Sequence, residues 1–213
     1  MIRRKTIDNL IKSKKPITIE KFIEISLYGE NGYYNNSKVI GKEGDFITAP
    51  EITQLFGEII GLFILSFWKK KINKPFNLVE LGPGRGTLLL DILNITKSFP
   101  DFQNSFKINL IEKNYELIKQ QKKTLNGLKL KNISWFNKFN FSKKKPVIIY
   151  ANEFFDCLPI RQFYKKSKVW HEKKVIFDEK EKFFKWNDVK VTNIKTLNLI
   201  DKYQPKDILE ISK

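Results

Sequence analysis

The stretch Val79-Glu-Leu-Gly-Pro-Gly-Arg-Gly-Thr87 closes one apolar run, Phe76-Asn-Leu-Val-Glu-Leu81, and precedes another that begins at Leu88. The first run has the length and content of a buried strand. Gly82, Gly84 and Gly86 then fall at alternate positions, and a helix to about Lys97 follows. A glycine turn between strand and helix lets a ligand approach the backbone, where the helix N-terminus offers free N–H groups. Reading outward, Lys107–Ile111 is the next strand, ending at Glu112, and a helix runs from about Asn114 to Asn126. Asn132–Phe136 and Pro146–Ala151 are further strands, the latter ending at Asn152. Strands alternating with helices predict βαβ units on a parallel sheet, the α/β class, here the first half of a doubly wound sheet.

The flanks have a different texture. Residues 1–75 read as a helical region. Ile7, Leu10 and Ile11 form a short apolar stripe, and Thr18 opens a helix with Ile19, Phe22, Ile23 and Leu27 on one face. Residues 41–50 read as a loop. The long helix after Pro50 carries Ile52, Leu55, Phe56, Ile59, Ile60, Phe63, Ile64 and Phe67 at helical spacing. Gly57 and Gly61 in it predict the close approach of another element. After Pro159, the runs Ile160–Tyr164, Val169–His171 and Val175–Phe177 read as short antiparallel strands, a β-hairpin insertion. The expected division is a helical part over 1–75 and a ligand-binding sheet domain over 76–213.

Composition removes several function classes. The 213 residues contain one cysteine, Cys157, and one histidine, His171, which excludes a disulfide scaffold and gives no expectation of a metal site. Cys157 reads as an apolar filler and His171 as a surface residue. The formal net charge is +17, which raises nucleic acid or an anionic surface as partners. Only Arg3, Arg4, Arg85 and Arg161 are arginines, and the lysines are scattered. Phosphate and guanine recognition favours the planar fork of arginine, so nucleic acid is the disfavoured partner. No apolar run approaches the ~20 residues of a membrane span. The N-terminus lacks an apolar signal core, so a cytoplasmic location is the expectation.

The glycine spacing decides among ligands. The dinucleotide fingerprint needs G-x-G-x-x-G, and the sixth position from Gly82 is Thr87, from Gly84 Leu89. The phosphate loop G-x-x-x-x-G-K-[ST] is also absent. The pattern E-x-G-x-G-x-G resembles that of S-adenosylmethionine (SAM) methyltransferases. That ligand carries a cationic sulfonium and no pyrophosphate, which suits Glu80 at the strand end. Glu112, 32 residues beyond Glu80, is placed to accept ribose hydroxyls, with an extended connection between them. Trp135 is placed either against adenine or in the core. At the end of the fourth strand, Asn152, Glu153 and Asp156 gather beside Phe154 and Phe155. Ligands of doubly wound sheets bind at that edge, and two carboxylates can orient a guanidinium and take its proton. If a helix starts there, Glu153 and Asp156 share a face; if not, Asp156 is a cap.

Together, GYY (32–34), GDFITAPEITQLFGE (44–58), LVELGPGRGTL (78–88), NLIEKN (109–114), ANEFFDCLPIRQF (151–163) and VWHEK (169–173) resemble one family. It is the SAM-dependent methyltransferase family of the mitochondrial complex I assembly factor 7, and these blocks cover nearly the whole chain. The resemblance implies a Rossmann-like SAM methyltransferase sheet with a helical N-terminal part, SAM as cofactor, and a protein substrate methylated on arginine. In the mitochondrial member that substrate is a complex I subunit. Cys157 stands where the family usually has alanine. The family continues well past its Leu-Glu-Ile-Ser segment, which here is Leu209–Ser212, so the sheet domain is expected to be incomplete at its C-terminus, as a truncated product or a fragment. An incomplete sheet leaves an open edge for a second copy or a partner to cover. The competing class is an assembly factor that keeps the fold without catalysis.

Overall fold

A computed structural model describes residues 8, 10–11, 14–30, 32–35, 47–128, 132–139, 145–203 and 207–212. Ile7 of the first stripe and residues 41–46 of the expected loop lie outside the described residues. The chain divides into two compact units: Ser37–Phe154, and Met1–Asn36 together with Phe155–Lys213.

The N-terminal segment supplies β1 (Ile17–Thr18) and α1 (Ile19–Tyr28) to the second of these units. Thr18 caps α1 as its sequence position predicts, its hydroxyl accepting the Lys21 N–H at 3.2 Å.

The unit Ser37–Phe154 begins with α2 (Ala49–Ile52) and α3 (Gln54–Phe67), which the sequence presents as one helix. The break is at Thr53, whose extended backbone (φ −150°) ends one helix while its hydroxyl accepts Leu55 N–H at 3.2 Å to start the next. After α3 come β2 (Phe76–Leu81), α4 (Thr87–Ile95), α5 (Pro100–Ser105), β3 (Phe106–Ile111), α6 (Tyr115–Leu125), β4 (Ile133–Phe136) and β5 (Val147–Ala151). The four strands form a parallel sheet in the order β4-β3-β2-β5, so the first and fourth strands of the series are neighbours and the order reverses beside β2. The helix α5, not read from the sequence, fills the long connection between Glu80 and Glu112.

The core lies between this sheet and the helices, around Phe76, Leu78, Leu89, Ile92, Phe102 and Leu110. Gly57 and Gly61 bring α3 against α4. A Cβ at Gly57 would lie 2.5 Å from Asp91 Cβ, and one at Gly61 2.7 Å from Ile95 Cγ2. The opposite side of α3 is apolar too. Leu55, Ile59, Phe63 and Phe67 are all exposed there, Phe63 at 67%. An apolar groove of about 270 Å³ lies beside it, lined by Phe63, Ile64, Phe67, Val147 and Ile148. Among the described residues β5 pairs only with β2, leaving one edge open.

The other unit is an antiparallel sheet. Its strands β6 (Ile160–Lys166), β7 (Val169–Asp178), β8 (Phe183–Lys190) and β9 (Leu209–Ser212) join β1 in the order β1-β7-β6-β9, with β8 also on β7. What the sequence suggests as a hairpin insertion is thus a five-stranded sheet. Ser167 and Lys168, at φ 49° and 66°, make the two-residue turn whose twist suits a hairpin. The helix α7 (Ile194–Ile200) covers one face, with Ile200, Phe163 and Trp170 at the centre of a small core. Glu172, buried in this sheet, accepts the Arg161 Nε–H at 2.7 Å.

These two units cut the chain differently from a boundary after residue 75. The reason is packing: α3 buries its glycine face on α4, and the segment after Phe154 pairs with β1. No helix among the described residues is long and apolar enough to cross a membrane, and no described cluster of His, Cys, Asp and Glu could hold a metal.

Candidate functional site

The glycine turn is built as its spacing requires. Gly82, Gly84 and Gly86 have φ of 63°, 55° and 83°, a region that costs any residue with a Cβ. Gly82 N–H donates to Ile111 carbonyl at 3.1 Å, which extends the β2–β3 ladder by one bond. Gly86 N–H donates to Pro83 carbonyl at 2.8 Å, closing a tight turn, and Gly86 then starts α4. The space around each glycine differs. A Cβ at Gly82 would sit 2.6 Å from Phe154 Cδ2, so the Phe154 ring packs on that glycine. A Cβ at Gly84 would meet nothing within 4 Å. The backbone at Gly84 therefore faces open space, a cradle that a side chain would fill.

Three sequence-predicted residues surround this turn. Glu80, on β2, lies opposite Tyr150 of β5 and accepts its hydroxyl at 3.1 Å. It is 3% exposed, and burial pushes its carboxyl up to about 8, against the lowering effect of that hydrogen bond. Near neutral pH it is largely protonated and offers little negative charge, which corrects the expectation of a carboxylate facing a cation. Its strand position explains this: Glu80 alternates with Leu78 and Phe76, so it points into the core.

Glu112 follows β3 directly. One of its carboxylate oxygens accepts the N–H groups of Lys113 and Asn114 at 2.8 and 2.9 Å. The other lies 3.4 Å from Gln121 Nε2. Burial raises its pKa, and these hydrogen bonds oppose the rise. Trp135 on β4 is half-buried against the main core, donates its indole N–H to Gln121 Oε1 at 2.9 Å, and carries the Lys122 ammonium 5.2 Å from its ring centroid.

Gln121 is a site residue that the sequence motifs do not single out. It is fully buried on α6, and its amide also donates to Gly84 carbonyl at 2.8 Å. One side chain thus ties together the glycine turn, Glu112 and Trp135. The signal was present: Gln121 falls midway between Leu117 and Leu125, an apolar-face position for which a polar residue needs a reason.

Glu51 also reaches the turn. It accepts Thr87 Oγ1–H at 2.6 Å and lies 3.4 Å from Arg85 Nη1, so α2 is fastened to the turn and the start of α4.

At the end of β5, Asn152 is half-buried and Glu153 is exposed with φ 47°. A left-handed glutamate is uncommon, and such strain clusters at functional positions. The expected shared helical face is not formed. Glu153 precedes a single 3₁₀ turn, Phe155–Cys157, and Asp156 belongs to the other compact unit. Within that unit, Cys157 carbonyl accepts the Tyr28 hydroxyl at 2.9 Å, and Asp156 and Cys157 add to burial in raising the Tyr34 pKa.

A family profile described as "Putative S-adenosyl-L-methionine-dependent methyltransferase" matches residues 59–213. The chain belongs to that family. It is 36% identical over 191 residues to bovine (Bos taurus) mitochondrial protein arginine methyltransferase NDUFAF7, a match covering 79% of this chain and 43% of the bovine protein. The human (Homo sapiens) NDUFAF7 is 35% identical, covering 76% of this chain and 42% of that protein. The chain thus spans less than half the length of the curated relatives it matches. Among solved structures, a superfamily member from Burkholderia thailandensis crystallised with S-adenosyl-homocysteine shares the fold. Its TM-score is 0.71 at 19% identity, over 96% of this chain and 54% of that one. A native structure of a superfamily protein from the same organism gives 0.68 at 19% identity, over 97% and 53%.

Proposed function

We propose that the chain binds SAM on the Gly82–Gly86 turn and serves methyl transfer to an arginine nitrogen of a protein. The observation that carries this reading is the cradle: three left-handed glycines at the end of β2, with open space at Gly84, where the strand order reverses. Ligands of doubly wound sheets bind at such a point. Gly82, Gly84 and Gly86 would present backbone to the cofactor, Glu112 would take the ribose hydroxyls, and Trp135 would stand by the adenine. Glu80 would back the turn from beneath as a hydrogen-bonded neutral acid. When bound, SAM supplies an electrophilic methyl group.

The chain's own residues then have the task of placement. Gln121 holds Gly84 and Glu112 at fixed separation, so the cradle exists before the ligand arrives. Asn152 and Glu153 end the strand beside β2, and Glu153 would orient a guanidinium and receive its proton. The relatives' names support an arginine on a protein, and a subunit of respiratory complex I is the substrate proposed here. A second copy or another protein on the α3–β5 face and a cytoplasmic location belong to the same proposal.

The test is calorimetric titration of SAM into the wild type and Gly84→Val, followed by mass spectrometry for methylarginine in complex I subunits with and without the gene. Binding lost in a folded Gly84→Val protein, with methylarginine lost in the deletion, is the expected result. SAM affinity unchanged in that variant overturns the site. Binding with no change in methylarginine favours the second reading, a non-catalytic assembly factor.

A further inference from the structure

Charge sets the surroundings of the glycine turn apart. In a chain of net charge +17, the helix behind the glycine turn is surrounded by acid. Glu51 lies against Thr87 and Arg85, Gln54 Nε2 donates to Glu58 at 2.9 Å, and Asp91 is buried where Gly57 meets α4. Asp91 Oδ2 has no hydrogen-bond partner, and burial, Glu58 and Glu51, in that order, raise its pKa to about 6. Of these carboxyl groups only Glu51 is paired with Arg85, at 3.4 Å, while Glu51 and Glu58 both act on Asp91. Their positions are unusual for this element. The N-terminus of a helix after a glycine turn is positive and ordinarily receives an anion, often a phosphate. Gly86, at the head of α4, has no side chain with which to cap it. Glu51, whose side chain is 12% exposed, arrives from a separate helix and places its carboxylate at that end.

We infer that Glu51 is a specificity-determining residue of the turn: its fixed carboxylate offsets the positive end of α4 and Arg85, so the site favours a cationic ligand and refuses phosphorylated nucleotides. The inference rests on the SAM reading above and adds a reason for the choice of ligand. Glu80 cannot supply this selectivity because it is buried and largely neutral. Glu51 acts on the ligand through the field at the turn and through Arg85, and so is also a positioning residue. A residue that merely clamped the loop would affect all adenosine ligands alike. One that sets the field separates SAM, which bears a sulfonium charge, from S-adenosyl-homocysteine (SAH), which does not.

The experiment is calorimetric titration of SAM, SAH and ADP into the wild type, Glu51→Gln, Glu51→Asp and Arg85→Gln, with thermal melts to confirm folding. Glu51→Gln keeps the shape and an acceptor for Thr87 but removes the charge. It is expected to lower the SAM-to-SAH affinity ratio by about 3- to 10-fold, the size of a one-charge change at a partly buried helix end, and to strengthen ADP binding. Glu51→Asp keeps the charge and should keep the ratio even if both affinities fall. Arg85→Gln should move the ratio in the opposite direction, which preserves the test should Glu51→Gln fail to fold. If Glu51→Gln shifts SAM and SAH equally and leaves ADP unchanged, Glu51 is a clamp and the inference is overturned. A wild type that binds neither SAM nor SAH overturns the methyltransferase reading and this inference with it.

Discussion

Replacing Glu80 with glutamine tests the state of the motif's first residue. Glu80 is held with its carboxyl at about 8 in the folded chain, against 4.5 when unburied. The sign follows from proton binding. An acid whose folded pKa is raised stays protonated in the native state while the unfolded chain ionises. Stability from this group is therefore greatest below about pH 4.5, falls as pH rises, and levels off above about 8. Each pH unit between those limits costs about 1.4 kcal/mol, so by pH 7 the loss is about 3 kcal/mol. Glutamine has nearly the same shape and can still accept the Tyr150 hydroxyl, but it does not titrate. Burying its N–H₂ group has a cost of its own, roughly 1–3 kcal/mol, that is the same at every pH. The decisive quantity is thus the difference in slope, not the absolute stability. Urea titrations at pH 5, 6, 7 and 8, read by hydrogen exchange of the β2 and β5 amides, confine the measurement to the parallel-sheet unit. The wild type should weaken over that range by about 1.4 kcal/mol per pH unit more than Glu80→Gln, which keeps only the fall due to Asp91 below about pH 6. Parallel slopes in the two proteins would refute the reasoning and mean that Glu80 is ionised at ordinary pH, as the motif alone suggests.

Asp91→Asn should stabilise the same unit at pH 8 by about 2–3 kcal/mol and have little effect at pH 4, because the raised pKa of Asp91 makes stability fall as pH climbs from about 4 to 6; thermal melts at the two pH values check it. Gln121→Met removes the amide that joins Gly84, Glu112 and Trp135 and should cost about 1–3 kcal/mol, together with a weakening of SAM binding that calorimetry measures. Glu172→Gln leaves Arg161 without its buried counter-charge and should destabilise the antiparallel unit by about 3 kcal/mol, read by hydrogen exchange of β6 and β7; an unchanged exchange rate would show that this ion pair adds nothing to the unit's stability.

The parallel sheet was legible because its signals are local. Apolar runs, a glycine turn of fixed spacing and amphipathic helices each stand within one stretch of chain, and the pairing of β2 with β5 follows from the standard order of such units. What was less legible depends on partners far away in sequence. Thr53 splits the long helix through its own backbone and hydroxyl, a break the hydrophobic period runs straight across. The antiparallel sheet recruits β1 from more than 140 residues upstream of β6, and no spacing rule announces that pairing. In the site, the three glycines and Glu112 could be named from the motif and strand ends. Glu80 could be located but not assigned a charge, since its protonation follows from burial, which outweighs the hydrogen bond from Tyr150. Gln121 and Glu51 act by reaching across to another element, so their chemistry becomes visible only once α6 and α2 are in place.

The apolar stripe of α3 gives the chain an unusual relation to salt. At low ionic strength, the charge of +17 holds copies apart over tens of ångströms. Raising salt to physiological strength shortens that reach to about 8 Å and leaves the short-range attraction between exposed Leu55, Ile59, Phe63 and Phe67 untouched. Only the repulsion therefore responds to salt, and solubility should fall as salt is added, where many proteins are helped into solution. Concentrated stocks of this protein would keep best in dilute buffer, and light scattering across a salt series would report how far the α3 stripe remains bare.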